Sequence, residues 1–273
     1  MYTRQFSINT NEWIAVSASR NRELSEILGR MAELTAADGS DVLTVSVKKG
    51  VRYFMAGKYC GFVCFADGTL VEILPRTKGG TVNARIALCE DFCQRCGHKF
   101  SPSDLHDDMN FMEYFISVFA AETMKIIKSG VLSAYTSREE NMTSVQGTIM
   151  FAENIRRNLT HKERLYVRHD VFTSDRAENR IIKAAAMMFN KLTANGHSSQ
   201  LLKEALSYLD EVKVPLNIRA EFSQCINTRN TRKYSTVLSI CRMLFDEKEG
   251  SCLTEKNIAC AQFYRLPAQA EKK

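Results

Sequence analysis

The chain has 273 residues, 45% hydrophobic and 25% charged, a balance that supports a packed core and excludes global disorder. Its net charge of +6 and pI near 8.8 permit a nucleic-acid or acidic-protein partner without requiring one. Nine cysteines with no apolar leader before them, and no apolar run of about eighteen residues, read as a reduced, cytoplasmic chain with no disulfide framework and no membrane partner.

Residues 12–18 alternate as a short strand, with Trp13 and Ala15 expected inward and Glu12 and Ser17 outward. Arg20 to Leu34 carries Leu24, Ile27, Leu28, Met31 and Leu34 at helical spacing, and Asp38-Gly39 ends that pattern. Strands are expected over Val42 to Val47, Tyr53 to Met55, Gly61 to Phe65 and Leu70 to Leu74. Lys48-Lys49-Gly50, Ala56-Gly57 and Asp67-Gly68 separate them, and Asp67-Gly68 predicts a type I′ hairpin turn. Pro75 stops the last strand, so residues 1–78 read as a small β-rich domain.

Thr77 to Gly80 reads as a hinge, and helical periodicity follows over Val82 to Cys96 and Asp107 to Lys128. Phe111, Tyr114, Phe115, Val118, Phe119, Thr123 and Ile126 share one face of the second of these. Strand-like pieces lie near Ser144 to Phe151 and Arg164 to Phe172, and helices near 176–193, 198–209 and 232–245. Residues 79–250 thus form a mainly helical, stalk-like region with a few strands, and 251–273 a tail whose end, Ala268 to Lys273, reads as disordered. The fold class is α+β.

Cys89, Cys93, Cys96 and His98 are zinc-ligand types, but four ligands within ten residues, partly on one helix, would strain a tetrahedron. They read as small thiols, and no metal is expected. Glu211-Val212-Lys213 and Asp246-Glu247-Lys248 match an acid-x-Lys triplet only formally. Lys213 precedes Val214-Pro215 and Asp246 follows a helix, so both read as loop charges, and no catalytic residue is assigned. Phosphate-loop, nucleophile-elbow and zinc-protease signatures are absent from the sequence, so the chain is not read as an NTPase or an enzyme in its own right, and no cofactor is expected.

Between Lys213 and Arg242 six basic residues face one acid, Glu221. Arg229, Arg232 and Lys233 are the candidate nucleic-acid contacts there; the competing reading is a solvated helix start. Arg156 and Arg157 either pair with Glu153 or Glu163, or protrude to act on a partner. Glu178-Asn179-Arg180 reads as a tie between a helix start and a neighbouring strand, and Gly147 as a conformational glycine.

Four phrases occur in a fixed order: Gly147 to Phe151, Ile155 to Leu159 (I-R-R-N-L), Tyr166 to Phe172 (Y-V-R-H-D-V-F) and Glu178 to Lys183 (E-N-R-I-I-K). Asp67 to Arg76 (D-G-T-L-V-E-I-L-P-R), Leu209 to Val212 and Tyr234 to Cys241 extend the pattern over residues 40–245. This order resembles the McrC family, the partner subunit of modification-dependent DNA restriction systems, with His169 where the family commonly has Tyr. The resemblance implies a regulatory subunit that inserts into the pore of an McrB-like AAA+ GTPase hexamer and raises its GTP hydrolysis. It makes Arg156 and Arg157, with Arg232 behind them, the expected partner-binding residues. The family continues into a PD-(D/E)xK nuclease domain. Here the pattern fades after Phe245, and Phe263 to Ala270 stands where an F-P-M-E-x-x-F-E helix is expected, so the nuclease is expected to be absent. A stand-alone nucleic-acid-binding module, or a truncated relic, is the alternative, and DNA is the second expected partner.

Overall fold

The computed structural model describes residues 2–16, 22–35, 40–77, 80–105, 109–226, 228–245 and 258–265. Its N-terminal part contains β1 (Arg4–Asn9), β2 (Trp13–Val16), α1 (Arg22–Met31), β3 (Leu43–Lys48), β4 (Val51–Ala56), β5 (Tyr59–Phe65) and β6 (Thr69–Leu74). The last described strand, β10 (Ile258–Arg265), returns to this region and pairs antiparallel with β5. The main sheet runs β1-β6-β5-β10, with β1 parallel to β6, and a second sheet runs β2-β4-β3.

Every residue of β5 and β6 is buried, because the main sheet is covered on both faces. Val63, Phe65, Val71, Ile73, Ala261 and Phe263 face α1 and Phe54 of the second sheet. Cys60, Phe62, Cys64, Leu70, Leu74 and Cys260 face the helices. The near-continuous apolar run C-G-F-V-C-F follows from this double burial. Gly61, at φ 140, lies so close to β10 that an added Cβ would sit 1.8 Å from the Gln262 carbonyl oxygen.

Three expectations need correction. The alternation of β2 is inverted: Trp13 and Ala15 are exposed and Val16 is buried, because the inner face of that sheet is set by Phe54 and Leu43. Asp67 does not adopt a positive φ, so the β5–β6 turn is not type I′; Gly68 alone takes the left-handed value, φ 81, and the Asp67 carboxylate accepts from the Thr69 amide at 2.9 Å. The type I′ pair is Lys49-Gly50, at φ 50 and 76, closing the β3–β4 hairpin. The stretch expected as a tail contains β10, a strand of the main sheet. Asp38-Gly39, Asp246-Glu247-Lys248 and Ala268 to Lys273 lie outside the described residues, as does part of the hinge at Thr77 to Gly80.

Helices α2 (Gly80–Cys96), α3 (Phe111–Lys128), α5 (Ala177–Leu192), α6 (Gly196–Tyr208), α7 (Ile218–Gln224) and α8 (Ser235–Phe245) form the second layer. α3 is at its centre, with thirteen buried residues around its circumference. Phe92, Phe111, Phe115, Phe119 and Phe189 pack largely edge to face beneath the sheet, as between Phe115 and Phe189 at 5.8 Å.

Two buried carboxylates lock the layers. Glu72 of β6 projects to the helical side, where Oε1 accepts from the Phe111 amide at 2.5 Å. Its Oε2 accepts from Arg85 (2.9 Å), Ser7 (3.1 Å) and Gln5 (3.2 Å). Placing an anion at the start of α3 suits the helix dipole, and Asn110 caps the same end by accepting from the Glu113 amide. Glu113 accepts from the Thr193 hydroxyl and the Ala194 amide, both at 2.6 Å, tying the end of α5 to α3.

Candidate functional site

Between α3 and α5 the chain leaves this body as an arm built of β7 (Ala134–Met142), β8 (Thr148–Ile149), α4 (Phe151–Asn158) and β9 (Leu165–Thr173). β7 and β9 pair antiparallel from Ala134↔Thr173 at the root to Met142↔Leu165 outward, and β8 adds to the other edge of β9. No described residue from 134 to 173 belongs to any of the hydrophobic cores of the body. The arm therefore holds itself together, chiefly by polar contacts.

Gly147 makes the geometry possible. At φ 75 it brings β8 onto β9, and an added Cβ would lie 2.2 Å from the Arg168 carbonyl oxygen. α4 is then fastened by an asparagine chain. Asn158 donates to Asn141 of β7 (2.7 Å) and to Asn154 (2.8 Å), and the Asn154 side-chain oxygen also accepts from the Tyr166 amide of β9 (2.8 Å). The asparagine of the I-R-R-N-L phrase is thus a structural fastener. Arg168–Glu139 (2.5 Å) and His169–Glu140 (2.7 Å) bridge β9 to β7.

Both candidate arginines of α4 pair with Glu153, Arg156 at 2.5 Å and Arg157 at 3.3 Å, which matches one of the two readings drawn from the sequence. They differ in a second respect. The Arg157 guanidinium lies over the Tyr166 ring, 4.7 Å from its centroid, and packs α4 onto β9. Arg156 has 70% of its side chain exposed. Phe151, Ile155 and Leu159, spaced one helical turn apart, are exposed beside it (72%, 63% and 72%). Tyr135 and Phe172, near the root, stack at 5.1 Å and are likewise exposed. Sequence reasoning passed over this apolar stripe because α4 is short and polar on average; the i, i+4, i+8 spacing was the available signal.

Arg229, Arg232 and Lys233 lie at the other end of the arm, just before α8. The Lys233 amine donates to the Ser129 hydroxyl (3.1 Å) and to the Gly130 carbonyl, capping the C-terminus of α3. Lys233 is exposed, as Arg229 and Arg232 are, but its amine is engaged in these contacts. Tyr234 beside them is buried, accepts from the Leu132 amide (2.9 Å) and donates to Asn179 (3.0 Å). Asn179 in turn donates to the Leu132 and Ser174 carbonyls at 2.9 and 2.7 Å, so it ties the start of α5 to the segments that flank β7 and β9 at the arm's root. Arg180 binds Asp175 at 2.7 and 2.9 Å; those bonds, reinforced by the Lys213 amide and outweighing burial, hold the carboxyl below its ordinary range. The α4 arginines and the Arg232 surface are separated by the length of β9 from Tyr166 to Thr173, on the order of 20 Å, and do not form one cluster.

Cys89, Cys93 and Cys96 point from α2 into the core, and Cys93 sits 3.2 Å from the Tyr114 hydroxyl. Burial pushes the Cys89 thiol up, and that of Cys64 up to about 11. His98 pairs with Glu122 at 2.9 Å instead of facing those thiols. Among the described residues no group of three His, Cys, Asp or Glu is arranged to hold a metal ion. Glu211 and Lys213 are exposed in the turn after α6, and the Lys213 backbone amide donates to Asp175. No described helix is long and apolar enough to cross a membrane.

Fold and arm together define a class of α+β protein in which a layered body carries a self-contained projecting arm. The chain belongs to the McrBC 5-methylcytosine restriction system component family, whose model matches residues 54–268. No curated protein matches it. Among solved structures it resembles a chain of the Thermococcus gammatolerans McrBC complex at 18% identity and a TM-score of 0.67, covering 96% of this chain and 83% of that one. A second likeness is to a chain of the T. gammatolerans half-complex of McrB AAA+ hexamers with bound McrC, at 17% identity and a TM-score of 0.63, covering 89% and 65%. At these identities the likeness concerns the fold.

Proposed function

We propose that this chain is an McrC-like regulatory subunit that binds an McrB-type AAA+ GTPase hexamer through the 134–173 arm and raises its rate of GTP hydrolysis. The observation that carries this reading is the surface of α4: three large apolar side chains and an exposed arginine, on an element that gives nothing to the body's core. Such a stripe is costly to leave in water and gains by burial against a partner. The membership in the McrBC family and the likeness to chains of McrBC complexes support the choice of partner.

Stimulation of a GTPase in trans needs positioning and charge stabilisation at the partner's site, not a catalytic centre in the stimulating chain. Arg156 is the first residue for that role. Its pairing with Glu153 is solvent-exposed and worth less than about 1 kcal/mol, so it exchanges readily for a partner's acid or phosphate. Arg157 follows, with its stacking on Tyr166 to be given up, and Arg232 would serve a contact at the arm's root. The test is co-elution of the chain with its McrB-type GTPase, in parallel with Ile155→Asp and Arg156→Ala. Ile155→Asp should abolish co-elution, and Arg156→Ala should lower stimulated turnover while leaving the melting temperature unchanged. Co-elution and stimulation unaffected by both substitutions would remove α4 from the interface.

A further inference from the structure

We infer that the outer face of the β2-β4-β3 sheet is a binding surface for single-stranded nucleic acid, separate from the arm and from the Arg229–Arg232 surface. On the inner face of this sheet Val16, Leu43, Phe54 and Ala56 are buried in the N-terminal core, while Val45 and Val47, towards the β3–β4 turn, stay exposed. The outer face follows from the register. Trp13, Met55 and Thr44 form one row, Ala15, Tyr53 and Ser46 the next, and Val51 and Lys48 the last. Trp13 is 48% exposed and Tyr53 half-buried. The two aromatic residues are diagonal neighbours across adjacent strands, about 7–8 Å apart. That spacing suits successive unstacked bases on a sheet platform, the arrangement by which sheet-based modules bind single strands.

Charge selects the occupant. From Val42 to Phe65 the chain carries Lys48, Lys49, Arg52 and Lys58 and no acidic residue; Arg52, paired with Val16 and Val47, belongs to the opposite face, which leaves the lysines to serve this one. Lys48 lies on the aromatic face itself, and Lys49 occupies the tight turn beside it at φ 50. Glu12, the acid adjacent to Trp13, accepts from the Asn9 side chain at 3.1 Å. An apolar protein partner would gain nothing from this basic rim. A duplex would contact the lysines but could not present its base faces to Trp13 and Tyr53. A single strand satisfies both, with bases on the rings and phosphates on the lysines.

Trp13 is the chain's one tryptophan, so its fluorescence reports on this face alone. The intact chain is titrated with an oligothymidylate of about 12 nucleotides at about 50 mM salt. Saturable quenching is expected, and Tyr53→Ala should weaken binding roughly 5- to 150-fold, the value of one stacked base. Lys48→Gln with Lys49→Asn should weaken it too and flatten the log–log salt slope by about 1.4, from two lost phosphate contacts. Asparagine suits the left-handed turn position and both lysines are exposed, so this variant folds even where a change at half-buried Tyr53 disturbs the sheet. No change in tryptophan emission would overturn the inference. So would equal quenching by duplex DNA of the same length, equal quenching by polyglutamate, or unaltered binding in the two-lysine variant.

Discussion

Replacing Glu72 by Gln keeps the side-chain volume and removes one charge from the junction of β1, β6, α2 and α3. The carboxylate is fully buried and receives four donors, from Phe111, Arg85, Ser7 and Gln5. Gln retains an acceptor for the Phe111 amide but turns an NH2 group towards Arg85, a clash of donors. Removing one partner of a buried ion pair costs about 3–5 kcal/mol. Arg85 is 14% exposed and can recover some hydration, which moves the expected cost to about 2–3 kcal/mol. At about 2–4 °C per kcal/mol for a chain of this size, the melting temperature should fall by roughly 4–12 °C. Thermal and urea unfolding followed by circular dichroism measure this directly. Adding Arg85→Gln in the Glu72→Gln background should cost less than the same change in the parent, because the partner charge is already gone. A Glu72→Gln protein within about 0.5 kcal/mol of the parent would refute the view that this carboxylate joins the two layers.

Gly147→Ala should place a Cβ against the Arg168 carbonyl at a left-handed φ, at about 1–2 kcal/mol. The arm's amides from Thr148 to Asn158 should exchange about tenfold faster while the body's melting temperature holds, and a cooperative loss of the whole fold would contradict the arm's independence. Asn158→Ala removes the donor shared by Asn141 and Asn154 and should expose α4 to limited proteolysis ahead of any other described helix. The pH dependence follows from Asp175. Its folded pKa is depressed, chiefly by Arg180, so its contribution is complete above the unfolded value near 3.9 and is lost as pH falls through the folded value below that. The stability gap between the parent and Asp175→Asn should therefore be wide at pH 6 and shrink below about pH 4, and a gap independent of pH would contradict the assignment.

The body was legible where burial leaves a period in the sequence. α1, α3, α5 and α8 each bury a broad face, and β5 and β6 are buried on both sides, so their apolar patterns survive reading. β7, A-Y-T-S-R-E-E-N-M, was missed because almost all of it faces solvent and no alternation remains. β1 and β10 were missed for a different reason: their partners are far away in sequence, and pairing at that distance has no local signature. The inverted phase of β2 shows that alternation gives the period of a strand but not which face is inward. Of the candidate site, the Arg156-Arg157 pair and Gly147 were visible as residues. The division of labour between an exposed Arg156 and a packed Arg157 depends on Tyr166, which meets them only in three dimensions. The bonds of Lys233 to the end of α3 were not legible, because its three oxygen partners there lie more than a hundred residues away in sequence.

In the proposed function the arm couples this chain to a GTPase. Ala134 and Thr173 are direct partners in the β7–β9 register, about 5 Å apart, so the arm can be excised and its root closed by an Asn-Gly turn without straining the body. GTP hydrolysis by the McrB-type GTPase, measured alone, with the intact chain and with the armless chain, tests the claim most directly. Acceleration is expected with the intact chain, and neither binding nor acceleration with an armless chain that still melts cooperatively. No acceleration by the intact chain, or equal acceleration by the armless one, would contradict it.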